Sequence, residues 1–179
     1  MYKRQYVYST ALSTTTALKE AQLAISKMQG YKVSYPVVYD LEYAKASKLS
    51  AKTVSEMALT FCNEVRRAGY YPMVYCNTNW YDNYIDWSLL SGVDVWIARY
   101  GDTIQAPDKE RYNYTIWQST DGNRESGLNS TSGLVAGIPA GNDVDMDFGY
   151  VDYTKKITPR WKSLHSYVCL LYTSPSPRD

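Results

Sequence analysis

The sequence predicts an α/β fold of parallel β/α units closed as a barrel, on three observations. Short runs rich in Val and Tyr alternate with amphipathic helical stretches, the pattern of parallel strands joined by crossover helices. Polar or acidic residues end nearly every strand run: Asp40 and Glu42, then Asn77, Tyr100, Gln118 and Asp145. A barrel spreads such residues over the C-terminal ends of many strands, whereas a doubly wound sheet gathers them at one switch point. Finally, no Gly-rich phosphate loop follows any strand and no solenoid period recurs.

Each element has its own signal. Tyr6 to Thr10, "YVYST", reads as a short strand. The helix that follows places Leu18, Ala21, Ile25 and Met28 on one face, with a Ser or Thr cap before it and Gly30 after it. "YPVVYDLEY", Tyr35 to Tyr43, is the next strand. It leads into a helix whose stripe is Val54, Met57, Phe61 and Val65 and whose stop is Gly69. Tyr70 to Asn77 repeats the strand, Thr78 to Leu90 reads as a short helix, and Val93 to Tyr100 is a strand followed by a polar loop. Tyr114 to Thr120 and Asn142 to Gly149 read as late strands joined through a Gly-, Ser- and Asn-rich connection, a hairpin in place of a further β/α unit.

The two ends stand apart from this pattern. "CLLYTSPSPRD", Cys169 to Asp179, and "MYKRQ", Met1 to Gln5, resemble the two readings of the transposon adapter used to fragment DNA for sequencing. Residues 1–5 and 169–179 are therefore expected to be adapter scars. Residues 6–153 are expected to form a partial β/α barrel, and 154–168 a linker or the start of a further segment. Setting aside Lys3, Arg4, Arg178 and Asp179 from 19 basic and 18 acidic side chains leaves 16 against 17. That balance offers no electrostatic footprint for nucleic acid or an anionic membrane, and no apolar run approaches a membrane span. Cys62 and Cys76 have no ligand spacing and are expected to be buried free thiols. The one histidine, His165, lies beyond the barrel pattern, so neither a catalytic triad nor a histidine zinc site is expected, and no metal or cofactor.

Asp40 and Glu42 are the chemical signal. Residues two apart on a strand share a face, with Cα atoms roughly 6.5 Å apart. Two carboxylates that close repel each other, a cost that persists only where the pair is used. A D-x-E pair alone is commonly a solvated edge, but one at the end of an apolar barrel strand points to function.

Five stretches, "PVVYDLEY", "MVYCNTNWY", "VWIARYG", "IWQST" and "VDMDFG", in this order and spacing resemble the lysozymes of glycoside hydrolase family 25, N-acetylmuramidases of bacteria and their phages. The resemblance covers Tyr6 to Tyr150. It implies an irregular (β/α)5β3 barrel whose last strands lose their helices, in agreement with the drift to plain β above. It further implies cleavage of the β-1,4 bond between N-acetylmuramic acid and N-acetylglucosamine in peptidoglycan. The family opens on a strand with a "D-V-S"-like motif and a second β/α unit, so this sequence is expected to begin at the third strand, without its first strands and at least one active-site aspartate. The activity is then expected of the parent protein, and the fragment itself is expected to fold poorly or lack activity, because missing strands leave open edges and an unfilled interior. A peptidoglycan glycan strand is the implied partner, with a monomer acting outside the cell or encoded by a phage.

Glycosidic hydrolysis needs one carboxylic acid held protonated and a second group that stabilises the oxocarbenium-like centre. Glu42 is expected to be the general acid, because its arm is longer and the family's donor falls on this position. Asp40 is expected to stay ionised and to orient the 2-acetamido group or stabilise the positive centre, with Asp145 closing the far side. Asp143 has the same strand face as Asp145, and Asp147 stands where the family often has Asn. Nineteen Tyr and five Trp exceed the needs of a core. Tyr8, Tyr75, Trp96 and Tyr100 are expected at the barrel mouth for stacking on sugars, and Gln118 for hydrogen bonding to an acetamido group. Packing alone also favours aromatic residues in strands. Two other readings are a non-catalytic carbohydrate-binding barrel and a chitinase-like glycosidase. The second would carry further acids before Glu42, where this sequence has Pro36 and Val38.

Overall fold

The structure is a computed structural model, and it describes residues 5–101, 105–122 and 144–158. Six strands form one sheet in the order of the chain: β1 (Gln5–Tyr8), β2 (Val37–Asp40), β3 (Pro72–Asn77), β4 (Asp94–Ala98), β5 (Ile116–Thr120) and β6 (Met146–Gly149). The first four pairings are parallel and the last, β5 with β6, is antiparallel. The expected succession of β/α units ending in plain β is therefore present. Residues 123–143 of the connection between β5 and β6, Asp143 among them, lie outside the described residues, as do His165 and the end segments apart from Gln5. Gln5 opens β1 opposite Val37, so the first strand starts one residue earlier than its pattern suggests.

Helices α1 (Thr14–Met28) and α2 (Ala51–Arg67) cover one face of β1–β3. Each starts on a serine whose side chain accepts the backbone N–H three residues on, Ser13 from Thr16 (3.3 Å) and Ser50 from Thr53 (3.1 Å). The turns after them are made by Gly30 (φ 79°) and Gly69 (φ 82°), a backbone region that strains other L-residues. Val54, Met57, Phe61 and Val65 of α2 are all fully buried, and Phe61 stacks on Tyr39 of β2 with ring centroids 4.2 Å apart. On α1 the buried face is Ala17, Ala21 and Met28, with Ile25 only partly covered, and Leu18 turns partly outward. The small alanines let α1 lie close to α2. Cys62 and Cys76 are buried free thiols in this layer. The stretch from Thr78 to Leu90 is two pieces, α3 (Thr78–Asn83), capped by Asn77, and a 3-10 turn at Trp87–Leu90 begun by Asp86. An Asx cap at each start divides what reads as one helix.

The opposite face carries its own apolar cluster, Val38, Met73, Tyr75, Trp96, Ala98 and Ile116, closed by Tyr153. Tyr153 belongs to a one-turn helix, α4 (Tyr153–Lys156), which the sequence pattern does not announce and which straddles the boundary expected at residue 153. Its hydroxyl donates to Asp94 Oδ2 (2.6 Å) at the N-terminal end of β4, where Tyr71 (2.8 Å) and Lys156 (3.0 Å) also donate. Burial alone would push the Asp94 carboxyl up, but these three donors hold it below the usual range. One end of this face is thereby plugged by protein, and the other is left open.

Candidate active site

The open end lies at the C-terminal ends of the parallel strands. Side chains alternate along β2 and just beyond it: Leu41 packs among the helices at 2% exposed, while Asp40 and Glu42 point the other way. β2 ends at Asp40, so Glu42 stands on the following loop, held in register by the Leu41 N–H bonded to the Tyr75 carbonyl (2.9 Å). Both acids line a cavity of about 400 Å³. Tyr75, Trp96, Tyr100 and Gln118 line it as well, as their strand positions suggest. Asp145 joins them because β6 runs antiparallel, which brings its N-terminal end to the mouth formed by the C-terminal ends of β2–β5.

Tyr8 is the exception among the expected contacts. It is about half exposed, its ring meets Tyr43 edge-on at 6.4 Å, and Tyr6, two residues earlier, lines the cavity in its place. The Tyr8 hydroxyl is still pushed up, by partial burial and then by the charges of Glu42 and Asp40. Three further residues belong to the site. Asp121, directly after β5, and Val38, two before Asp40, line the cavity. Asp147 accepts from Trp96 Nε1 (2.8 Å) and fixes that indole. Period-two counting from Asp40 would have found Val38; nothing local distinguishes Asp121 or assigns Asp147 to Trp96.

The electrostatics of the pair are asymmetric. Asp40 is 7% exposed, and its Oδ1 is buried without a hydrogen-bond partner. Burial and then the neighbouring Glu42 charge push its carboxyl up to about 7. Glu42 is only partly buried, and burial raises its pKa too. The stronger push therefore falls on Asp40, whereas length of arm alone suggests Glu42 as the protonated member. The physical reason is depth: the shorter side chain sits further into the sheet and loses more water. Gln118 is also buried, and its Oε1 accepts from both Tyr75 Oη and Tyr100 Oη, each at 2.7 Å. Among the described residues no group of three or more His, Cys, Asp or Glu is arranged to hold a metal ion, and no helix is long and apolar enough to cross a membrane.

The acid pair thus lies at the open end of a β/α sheet, in a cavity ringed by aromatic residues. The family described as glycosyl hydrolases family 25 matches residues 1–128, and the chain belongs to it. No curated protein sequence matches the chain significantly. Among solved structures it is similar to the CTP1L endolysin, with a TM-score of 0.62 and 23% identity over 84% of this chain and 47% of that one. It is similar to the modular autolysin LytC from Streptococcus pneumoniae at TM-score 0.56 and 24% identity, covering 80% of this chain and 33% of the other. For the catalytic domain of endolysin ply40 from bacteriophage P40 of Listeria monocytogenes the values are 0.58 and 20%, over 87% and 71%. These likenesses establish the fold. The chain spans about half the length of the CTP1L endolysin chain and a third of LytC.

Proposed function

We propose that the protein is a peptidoglycan hydrolase, a lysozyme that cleaves the β-1,4 bond between N-acetylmuramic acid and N-acetylglucosamine. The observation that carries this reading is the Asp40–Glu42 pair facing one aromatic-lined cavity, with Asp40 Oδ1 buried and unpartnered. The Asp40 carboxyl lines the cavity, and a carboxylate there can accept a hydrogen bond from a substrate N–H. The N–H of a 2-acetamido group is such a donor. Membership of the glycosyl hydrolase family supports the reaction class.

Glu42 acts as the general acid and Asp40 assists. By burial alone the shared proton favours Asp40. Because the two carboxyls interact, their titrations belong to the pair. A sugar N–H donated to Asp40 stabilises its ionised form and moves the proton to Glu42, the carboxyl with the longer reach towards a glycosidic oxygen. Asp40 then orients the acetamido group or faces the positive centre as it forms, and Asp145 closes the far side. The protein works as a monomer on the cell wall, released outside the cell or supplied by a phage.

Replacing Glu42 by Gln tests the assignment. It is expected to lower the release of reducing ends from peptidoglycan by at least about 10²-fold, the usual weight of a general acid. The melting temperature should hardly change, since Glu42 is only partly buried. Hydrolysis at the wild-type rate would overturn the role of Glu42.

A further inference from the structure

We infer that Glu20 of α1 is a positioning residue for the acid pair: from behind the sheet it ties the ends of β1 and β2 together and so fixes how deep Asp40 and Glu42 sit in the cavity. The inference rests on the reading of that pair as the reacting carboxyls and adds what holds them in place.

The need for such a tie follows from the topology. β1 is an edge of the described sheet and pairs with β2, Gln5–Tyr8 against Val37–Asp40. Both strands stop at the mouth, Tyr8 opposite Asp40, and strand ends at an edge are where a sheet opens most easily. Just beyond, the Ser9 N–H donates to the Asp40 carbonyl (3.0 Å). Glu42 stands further out on the loop, so its reach is set by whatever holds residues 39–41.

Glu20 supplies that hold. It follows buried Ala17 by three positions and precedes buried Ala21, which puts it on the side that α1 turns to the sheet. A carboxylate only accepts, and its two oxygens have room for several donors. Oε1 accepts from the backbone N–H of Thr10 (2.9 Å). Oε2 lies 3.0 Å from both Ser9 Oγ and Tyr39 Oη, which are 2.7 Å from each other. Burial pushes the Tyr39 phenol up, so it keeps its proton, and the two hydroxyl protons run towards the one group that cannot donate. Hydrogen bonds to an ionised acceptor are the stronger kind. Ser9 and Tyr39 are 3% and 0% exposed, so water does not replace the carboxylate there. Three consecutive residues are thus anchored in different ways: Tyr39 by its hydroxyl, Asp40 by its carbonyl to Ser9, and Leu41 by its N–H to the Tyr75 carbonyl (2.9 Å). Glu20 stands behind the first two. Apolar packing of Ala17 and Ala21 already seats α1, so the carboxylate adds direction where the alanines add burial.

Nuclear magnetic resonance on the full chain tests this through two readings, the titration of the Asp40 carboxyl carbon and the exchange rates of the Ser9 and Leu41 amides. In the wild type Asp40 is expected to titrate near 7, raised by burial and then by Glu42. In Glu20→Ala the strand ends loosen and water reaches the carboxyl, so the midpoint should fall to about 6 or lower. The two amides should exchange about tenfold faster or more, while that of Phe61 in α2 changes little. Glu20→Gln keeps one acceptor and should give smaller changes of the same sign, also where the alanine variant fails to fold. The double variant Ser9→Ala, Tyr39→Phe keeps the Glu20 charge and should move both readings as Glu20→Ala does. The ionisable groups that share the cavity with Asp40, namely Glu42, Tyr6, Tyr75, Tyr100, Asp121 and Asp145, are the same in every variant. A merely structural role would lower the melting temperature, speed the exchange of all amides alike and leave the Asp40 midpoint in place, which would overturn the inference. So would a wild-type midpoint near 4, or a shift in Glu20→Ala with none in the double variant, the mark of charge acting at a distance. In peptidoglycan hydrolysis Glu20→Gln is expected to lower kcat about tenfold with KM within about threefold of wild type. A wild type that does not hydrolyse peptidoglycan, while Glu20→Ala moves both readings, would overturn the proposed reaction and leave the role of Glu20 standing.

Discussion

Asp40 shows most directly how one side chain can link stability to function. Its carboxyl, normally near 4, is raised to about 7 by burial and by Glu42. For a raised acid the folded state binds the proton more tightly than the unfolded chain. The protein therefore has its full stability below about pH 4 with respect to this group, and loses it as pH rises from about 4 through about 7. Asp40→Asn removes the ionisable group. The variant is expected to be more stable than the wild type at pH 8, by about 1–3 kcal/mol, with the gap shrinking towards pH 4. Urea unfolding at the two pH values measures it, and a gap that widens in acid would contradict the burial argument. The same variant should lose hydrolysis, since the carboxylate charge that would face the positive centre is gone.

Secondary elements divide into those that announce themselves and those that do not. α2 combines a serine cap, a four-residue apolar stripe and a glycine stop, and it lies where those signals put it. α4 has only one turn and derives its place from contacts: Tyr153 is fully buried, packs against Tyr71 and Tyr35, and touches Thr115 Oγ1 at 2.6 Å. Tyr153→Phe keeps the ring and removes the hydroxyl that donates to Asp94. It is expected to cost about 1–3 kcal/mol, as for a hydrogen bond to a charged group. Asp94 is held low, so its contribution is present above about pH 4 and is lost as pH falls through its folded value. The deficit of the variant should accordingly be largest near neutrality and narrow in acid, which chemical denaturation can follow.

Taken as one body, the chain is a sheet with two unlike faces. One is covered by α1 and α2 over β1–β3 and by Tyr112 and Tyr114 over β4 and β5, and the other holds a plug at one end and the acid pair at the other. Phe61 lies on the covered face, fully buried and stacked on Tyr39, whose own neighbour in sequence is Asp40. Phe61→Ala should cost about 3–5 kcal/mol through lost burial and the cavity left behind. The expected readout is a large drop in the denaturant midpoint. At low temperature, where the variant remains folded, affinity for a glycan oligomer should stay within a few-fold of wild type, because Phe61 is on the other side of the sheet from the cavity. A selective loss of binding without loss of stability would show that the two faces are coupled more tightly than their packing implies.

Much of this architecture is readable from local patterns, because helices and strands are selected by short-range periodicity and by capping residues within three or four positions. The alternation of Asp40, Leu41 and Glu42, the stripe on α2 and the hairpin-like end of the sheet are of this kind, and so is the facing of Tyr75, Trp96 and Gln118 towards one side. Other features depend on which strands become neighbours. The carboxamide of Gln118 is held from β3 and from beyond β4, 43 and 18 residues away in sequence. Trp96 is held by Asp147, 51 residues away, and Asp94 by Tyr153, 59 away. The exchange of Tyr8 for Tyr6 in the cavity and the greater depth of Asp40 relative to Glu42 are also set by packing. Periodicity states which face a side chain takes; how deep it lies, what it meets there and which carboxyl loses more water are properties of the assembled sheet, because desolvation and hydrogen bonding act between residues that only folding brings together.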